Sequence, residues 1–266
     1  MNNFLMIKQN HPYHLTSLSP WPLLMSFNLM NMLISIINLF QMKTYNLIFS
    51  NMIILMYLMF LWWSNVVKES LFSGNHNTKI ISLIKMGMML FILSELMFFV
   101  SFFWTYFHLS LSPSIEIGSM WPPSGIKLFN PYNVPLLNTL ILLSSGVTIT
   151  WSHHSITNLL LDQSKISLLL TVLLGFYFSY WQLNEYNHAF YSFNDSSFSS
   201  IFYMATGFHG IHVIIGTLFN SINLMRLYLN QFSNFHHCGF EMSAWYWHFV
   251  DVVWLFLYIL IYWWPY

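Results

Sequence analysis

Apolar residues fill this chain in long runs that are separated by charged residues and one proline-rich stretch. A transmembrane helix needs about 20 mostly apolar residues, and the charged positions leave room for seven such runs. The predicted helices cover 21–40, 45–66, 80–108, 135–160, 166–188, 198–228 and 236–263. The third and sixth are longer than a bilayer is thick, so we expect them to tilt or to extend beyond it.

The composition supports a membrane protein. Only 6% of the residues are charged, against 56% hydrophobic and 20% aromatic, which is far from the balance of a soluble domain. Eight basic and eight acidic residues cancel, so nothing indicates binding to nucleic acid. The single cysteine, Cys238, excludes a disulfide within the chain and a cysteine-based metal cluster. We therefore predict an all-α integral membrane protein.

Basic residues are distributed unevenly between the two predicted faces of the membrane. On the N-terminal side lie Lys8, Lys68, Lys79, Lys85, Lys165 and Arg226, and on the other side Lys43 and Lys127. By the positive-inside rule the N-terminus faces the mitochondrial matrix, or the cytoplasm of a bacterium. The bias towards Asn, Met, Ile, Leu and Phe indicates an organellar genome, and we expect synthesis without a cleaved targeting sequence.

Glu95 lies near the middle of the third predicted helix. An ionised carboxylate facing lipid there would cost at least about 2.5 kcal/mol, so we expect a polar partner. His209 and His212 share a face of the sixth helix and are the candidates. Three glycines could let a neighbouring backbone approach there, namely Gly207, Gly210 and Gly216. We hypothesise that Glu95 is neutral or shares a proton, in either a structural or a proton-handling role.

The twelve histidines raise the question of a haem or metal site. His153 and His154 are adjacent in sequence, as are His236 and His237, so the side chains of each pair point about 100° apart on a helix. No spacing places matched ligands on two facing helices. We therefore predict no haem or metal site in this chain.

Two further polar groups attract attention. His248 and Asp251 are spaced i, i+3 within the last helix, and we interpret them as a buried polar pair.

At the connection between the second and third helices, aromatic and charged residues form a candidate phospholipid site, in which a cation meets phosphate and rings lie at headgroup level. Its members are Trp62, Trp63, Lys68, Glu69, His76 and, from the end of the sixth helix, Arg226.

Long motifs along nearly the whole chain resemble the cytochrome c oxidase subunit III family. They are "HPYHLTSLSPWPLL", "WWSNVVKES", "GMMLFILSELMFFVSFFW", "WPPSGI", "VPLLNTLILLSSGVTITWSHHS", "FYMATGFHGIHVIIG" and "HHCGFEMSAWYWHFVDVVWLFLYILIYWW". The sequence departs from the family where many members have "WWRDV" and "RES", because it has "WWSNV" and "KES". A lysine lacks the guanidinium fork, so the preference for a lipid headgroup is expected to differ.

The resemblance implies a non-redox subunit of the respiratory oxidase of the mitochondrial inner membrane, which reduces oxygen with electrons from cytochrome c and translocates protons. Haem a and copper would belong to other subunits, and the partners would be catalytic subunit I, copper-bearing subunit II, further complex IV subunits and phospholipids. Within a bundle of seven transmembrane helices, a lipid-filled cleft would separate a two-helix part, 21–66, from a five-helix part, 80–266, after a matrix-side segment, 1–20.

Residue by residue, the resemblance implies that Glu95 matches the family's buried carbodiimide-sensitive glutamate. Four other residues match positions associated with lipid headgroups: Lys68, Glu69, His76 and Arg226. The chain would stabilise subunit I and support proton uptake through it.

Three alternatives remain at this point. A quinol oxidase could contain a corresponding subunit. A stand-alone proton-coupled transporter could use Glu95, His209, His212 and Asp251 as a relay, although related halves and broken helices are not evident in the sequence. A membrane cytochrome would bind its own haem, which the histidine spacing opposes.

Overall fold

A computed structural model describes residues 14, 16, 18–43 and 45–266. Seven long helices and no strand occur in these residues, and each helix is long and apolar enough to cross a membrane. They are α1 (Trp21–Met42), α2 (Asn46–Leu71), α3 (Thr78–Leu111), α4 (Val134–Thr157), α5 (Leu161–Asn187), α6 (Ser197–Tyr228) and α7 (Cys238–Leu257), with a π-helical end at Tyr258–Trp263. The predicted all-α, seven-helix architecture is confirmed, whereas Lys8 and most of the segment 1–20 lie outside the described residues.

Two helix boundaries differ from prediction by about five residues. The helix α2 continues to Leu71 rather than ending at 66, and α5 begins at Leu161 rather than at 166. Polar residues end an apolar run without ending a helix, because the backbone hydrogen bonds can continue beyond the hydrocarbon. Asp162 in the first turn of α5 also interacts favourably with the positive end of the helix dipole.

The expected excess length of the third and sixth helices is confirmed. The helix α3 has 34 residues and α6 has 32, which correspond to about 50 Å each at 1.5 Å per residue. The hydrocarbon core of a bilayer is only about 30 Å thick. Both helices therefore have several turns more than an upright crossing requires.

The chain divides into two compact units, residues 1–84 and 85–266. In the first unit α1 and α2 pack as a helical hairpin. The contact between the two helices is partly polar. The side-chain amide of Asn28 donates to the backbone carbonyl of Asn51 at 3.4 Å, and the side-chain amide of Asn51 donates to the backbone carbonyl of Asn31 at 3.2 Å. Such bonds satisfy polar groups where water is absent. The division of the chain into 21–66 and 80–266 stays a prediction.

The second unit is built around the indole of Trp247 on α7, which is fully buried. Its Nε1–H donates to Ser145 Oγ on α4 at 2.9 Å. A Cβ added at Gly175 on α5 would lie 2.9 Å from the ring, and one added at Gly216 on α6 would lie 2.8 Å from it. The ring therefore fills a space that exists only because two helices carry glycine there.

The expectation for the three glycines of α6 was right only in part. Gly216 permits close approach, but by an indole side chain rather than by backbone. At Gly210 no described atom lies within 4 Å of the position that a Cβ would occupy, and at Gly207 the nearest such atom is Tyr186 Oη at 3.9 Å. Sequence spacing cannot show which side of a helix faces a neighbour closely enough to need glycine.

The connection from α5 to α6 is fixed by short-range hydrogen bonds. Ser192 donates to Asp195 from its backbone N–H at 2.6 Å and from its hydroxyl at 2.8 Å. These bonds stabilise the carboxylate and lower the pKa of Asp195. Ser196 and Ser199 then form a capping box, in which each side chain accepts from the backbone N–H of the other residue.

Replacement of Gly175 by alanine should destabilise the second unit. The new methyl group would overlap Thr217 Cγ2 and crowd the Trp247 ring. Overpacking of this kind costs about 1–3 kcal/mol. We expect a lower thermal unfolding temperature of the membrane-embedded chain for Gly175→Ala than for Gly210→Ala, which adds the same methyl group in open space. Equal unfolding temperatures would contradict the close packing described here.

Candidate functional site

The carboxyl group of Glu95 on α3 meets the imidazole of His212 on α6. Glu95 Oε2 and His212 Nε2 are 3.0 Å apart, a distance within hydrogen-bonding range. The side chain of Glu95 is 25% exposed and that of His212 is 10% exposed. The contact predicted between the third and sixth helices is therefore present and largely enclosed by protein.

The hydrogen bonds of His212 determine how many protons this contact holds. His212 Nδ1 lies 2.6 Å from the carbonyl oxygen of Phe208, which can only accept, so Nδ1 carries a hydrogen. The bond between Nε2 and Glu95 Oε2 then needs a single proton, on either the imidazole or the carboxyl group. The pair is an imidazolium with a carboxylate or two neutral groups, and its net charge is zero in both cases.

Aromatic rings surround the imidazole of His212. The ring of Phe99 packs edge-on at 5.1 Å, and the ring of Tyr246 lies nearly parallel at 6.3 Å, both measured between centroids. Phe249 lies at 6.4 Å. These rings keep water from most of the imidazole, so the interaction with Glu95 is stronger than it would be in water.

The other candidate partner, His209, does not contact Glu95. Its Nε2–H donates to the carbonyl oxygen of Val250 on α7 at 3.3 Å. Its ring is fully buried and lies 5.5 Å from the ring of Phe178 and 5.0 Å from that of Trp254. The i, i+3 spacing placed two imidazoles on similar faces, but the rotation of α6 brings only His212 to α3.

The predicted pair of His248 and Asp251 is close but not hydrogen-bonded. His248 Nδ1 and Asp251 Oδ2 are 3.8 Å apart, which is too far for a shared proton. Asp251 is buried, whereas the side chain of His248 is 43% exposed. The carboxyl group instead packs against α4, where a Cβ at Gly146 would lie 3.0 Å from Oδ2. The two side chains are therefore neighbours, as predicted, but only the carboxyl group of Asp251 is buried.

The candidate lipid residues of the first unit gather around the end of α2. Glu69 meets a residue that the sequence had not suggested, because His14 Nε2 lies 4.0 Å from its Oε2. The rings of His14 and His76 pack edge-to-face at 5.6 Å. Lys68 in the last turn of α2 is exposed, as is Trp63, while Trp62 is partly buried.

Arg226, the remaining lipid candidate, belongs to the second unit. Its Nε–H donates to Gln231 Oε1 at 3.2 Å, and its guanidinium lies 4.4 Å from the centre of the Phe232 ring. Its Nη1 would lie 2.6 Å from a Cβ at Gly239. The guanidinium is therefore held at the junction of α6 and α7.

A buried carboxyl group at the other end of the second unit was missed. Glu185 near the end of α5 is 3% exposed and accepts a hydrogen bond of 2.6 Å from the hydroxyl of Tyr262. It also lines a cavity of about 690 Å³ with Lys127, Asn184 and His188. It lies close to the end of the predicted helix 166–188, where a carboxylate can reach water, so no sequence signal marked it as buried.

Two histidines from different helices meet at the junction of α4 and α7. Adjacent histidines do point apart, but His153 of α4 and His237 at the start of α7 approach each other, with their Nε2 atoms 3.3 Å apart. Glu241 completes a group of three potential metal ligands. The i, i+4 spacing of His237 and Glu241 was the available sequence signal for this group, and the expected absence of a metal site stays a prediction.

Known proteins resemble this chain over nearly its whole length. The family model of cytochrome c oxidase subunit III matches residues 11–266. Cytochrome c oxidase subunit 3 of Drosophila yakuba is 51% identical over 255 residues, which cover 96% of this chain and 97% of that protein. The protein of the same name from Pelomedusa subrufa is 48% identical over 259 residues, which cover 97% of this chain and 99% of that protein.

These matches distinguish between the alternatives left by the sequence. They extend through every helix of both units and connect the chain with an electron-transfer enzyme of the respiratory chain rather than with a transporter or a haem-binding cytochrome. With the seven apolar helices, they make the resemblance seen in the motifs a family relationship. The chain belongs to the cytochrome c oxidase subunit III family and is a subunit of that membrane-bound oxidase complex.

Proposed function

We propose that this chain is a non-redox core subunit that stabilises catalytic subunit I, supports proton uptake through it and binds phospholipid. Haem a and copper would belong to the other subunits, including copper-bearing subunit II. The surroundings of the two buried histidines of α6 support this proposal. Both ring nitrogens of His212 form hydrogen bonds, and the ring of His209 packs against Phe178 and Trp254, so neither is placed as a free haem ligand.

The hydrogen bond between Glu95 and His212 carries the proposal for proton uptake. It holds one proton between two groups that can both bind it, so the proton can move between them without creating net charge in the membrane. The side chain of Glu95 is 25% exposed, so a hydrogen-bonding group of a neighbouring subunit or a water molecule can reach it. A carboxyl group with these properties supports proton supply to a neighbouring subunit.

Phospholipid binding is proposed for the exposed end of α2. Lys68 offers a cation for phosphate, and Trp62 and Trp63 offer aromatic rings at headgroup level. Glu69, with His14 and His76 beside it, can accept from an amine headgroup. Arg226 is proposed as a second cation for the same class of ligand.

We place the chain in the mitochondrial inner membrane with its N-terminus towards the matrix. The residue bias of an organellar genome supports the compartment, and the greater number of basic residues on one side supports the orientation.

The absence of a redox centre can be tested by separating the subunits of the purified oxidase gently in detergent and recording visible absorption spectra. We expect haem a to follow a larger subunit and this chain to be colourless. Haem absorption that stays with the isolated chain would overturn the proposal.

Replacement of Glu95 by glutamine separates a structural role from proton handling. The amide of the substituted side chain can still donate to His212 Nε2, so we expect normal assembly and largely retained oxygen reduction. It cannot release a proton at neutral pH, so fewer protons should be translocated per electron in reconstituted vesicles.

The matched control is Glu116→Gln, which neutralises an exposed glutamate in the loop after α3 and should leave proton translocation unchanged. If the oxidase complex with Glu95→Gln did not assemble, the role of Glu95 would be structural. Unchanged proton translocation in that variant would exclude the proposed role.

Replacement of Lys68 by methionine should weaken the binding of an anionic phospholipid. One basic residue near a headgroup contributes about 1 kcal/mol, which is roughly a fivefold change in affinity. Native mass spectrometry of the purified oxidase should show fewer retained lipids for Lys68→Met than for Lys79→Met, which removes an exposed lysine at the start of α3. Equal lipid retention in both variants would argue against this site.

A further inference from the structure

Three side chains meet where the end of α4 approaches the start of α7. The Nε2 atoms of His153 and His237 are 3.3 Å apart, and His237 Nε2 is 3.3 Å from Glu241 Oε1. All three potential ligand atoms lie within 4.8 Å of one another. His237 is buried and the side chain of Glu241 is only 18% exposed, so the group is sheltered by protein.

The hydrogen bonding of His237 turns a lone pair towards the centre of this group. Its Nδ1 lies 3.1 Å from the carbonyl oxygen of Ser233, so Nδ1 carries the hydrogen and donates. In the neutral ring Nε2 is then an acceptor, and it faces a carboxylate oxygen that is also an acceptor. The repulsion between these two acceptors is relieved by a proton on His237 Nε2, by a hydrogen donated from His153 Nε2 or by a metal ion bound between the three side chains.

Two of the three distances between ligand atoms match those of a tetrahedral metal site. Zinc bonds of about 2.0–2.1 Å to nitrogen and oxygen place neighbouring ligand atoms about 3.3 Å apart. Both measured edges, from His153 to His237 and from His237 to Glu241, have this length. A ligating histidine usually donates its other N–H to a carbonyl or carboxylate, as His237 does to Ser233.

We propose that His153, His237 and Glu241 bind a divalent transition-metal ion of the Zn²⁺ class, with a water molecule as the fourth ligand. Two imidazoles and one carboxylate suit the borderline character of this ion better than that of Ca²⁺ or Mg²⁺, which prefer oxygen ligands alone. The ion would join α4 to the first turn of α7.

Lys85 sets the affinity of this site. It forms an ion pair with Glu241 through Oε2, the oxygen that does not face the histidines. The lysine balances the carboxylate when no metal is bound and repels a divalent cation when one approaches. Binding is therefore reversible rather than permanent, and removal of the lysine charge should strengthen it.

The test uses the full-length chain in phospholipid nanodiscs, titrated with Zn²⁺ in a calorimeter. Every sample carries His76→Gln, which disrupts the other described group of this composition, made of His14, Glu69 and His76. Far-ultraviolet circular dichroism and thermal unfolding without metal verify that each variant is folded.

We expect His153→Gln and His237→Gln to weaken Zn²⁺ binding at least about tenfold. Loss of a group that only forms a hydrogen bond to a metal ligand already has an effect of that size, and these variants lose a ligand itself. His154→Gln removes an exposed neighbouring histidine and should leave the affinity unchanged. Lys85→Met should bind Zn²⁺ more tightly than the parent chain. Equal affinity in the parent, His153→Gln and His237→Gln would overturn the proposal, as would an equal loss in His154→Gln.

If the histidine variants do not fold, X-ray absorption of Zn²⁺ bound to the parent chain decides the question. A first shell with two imidazole nitrogens supports the site. A first shell of oxygen atoms alone overturns it.

Discussion

One indole ring contacts three other helices of the larger unit of this protein and joins them to its own. Trp247 extends from α7 between two helices that carry glycine at the contact, Gly175 and Gly216, and donates its only hydrogen to Ser145 on a third. In a bilayer the lipid tails are as apolar as the helices, so association depends on close packing and on hydrogen bonds between helices. This one side chain provides both, and it limits how far α4, α5, α6 and α7 can rotate about their axes.

Those rotations determine which polar groups meet. With α6 held against Trp247, His212 is directed towards α3 and Glu95, while His209 is directed towards the backbone of α7. At one end of the unit Glu185 is covered by Tyr262, and at the other end His153 meets His237. Glu95, Glu185 and His209 are thereby placed beside a hydrogen-bonding partner instead of lipid, as the cost of isolated charge in hydrocarbon demands.

Hydropathy was sufficient to predict the seven helices, and most of their ends within about three residues, because the bilayer sets both length and composition. It also showed that Glu95 needed a partner. It could not choose between His209 and His212, because spacing along a helix gives a shared face but not the absolute rotation of that helix. The approach of His153 to His237 depends on tertiary packing across 84 positions, which no local pattern contains.

The fixed hydrogen on His212 Nδ1 has an electrical consequence. As long as the contact with Glu95 holds one proton, it is electrically neutral, and the transmembrane voltage does little work when that proton shifts between the two groups. A second proton would give the pair a full positive charge within the membrane. Moving one such charge across the whole membrane changes its energy by about 2.3 kcal/mol per 100 mV of transmembrane voltage. The singly protonated pair is therefore insensitive to voltage, whereas its loading with a second proton depends on how strongly the membrane is energised.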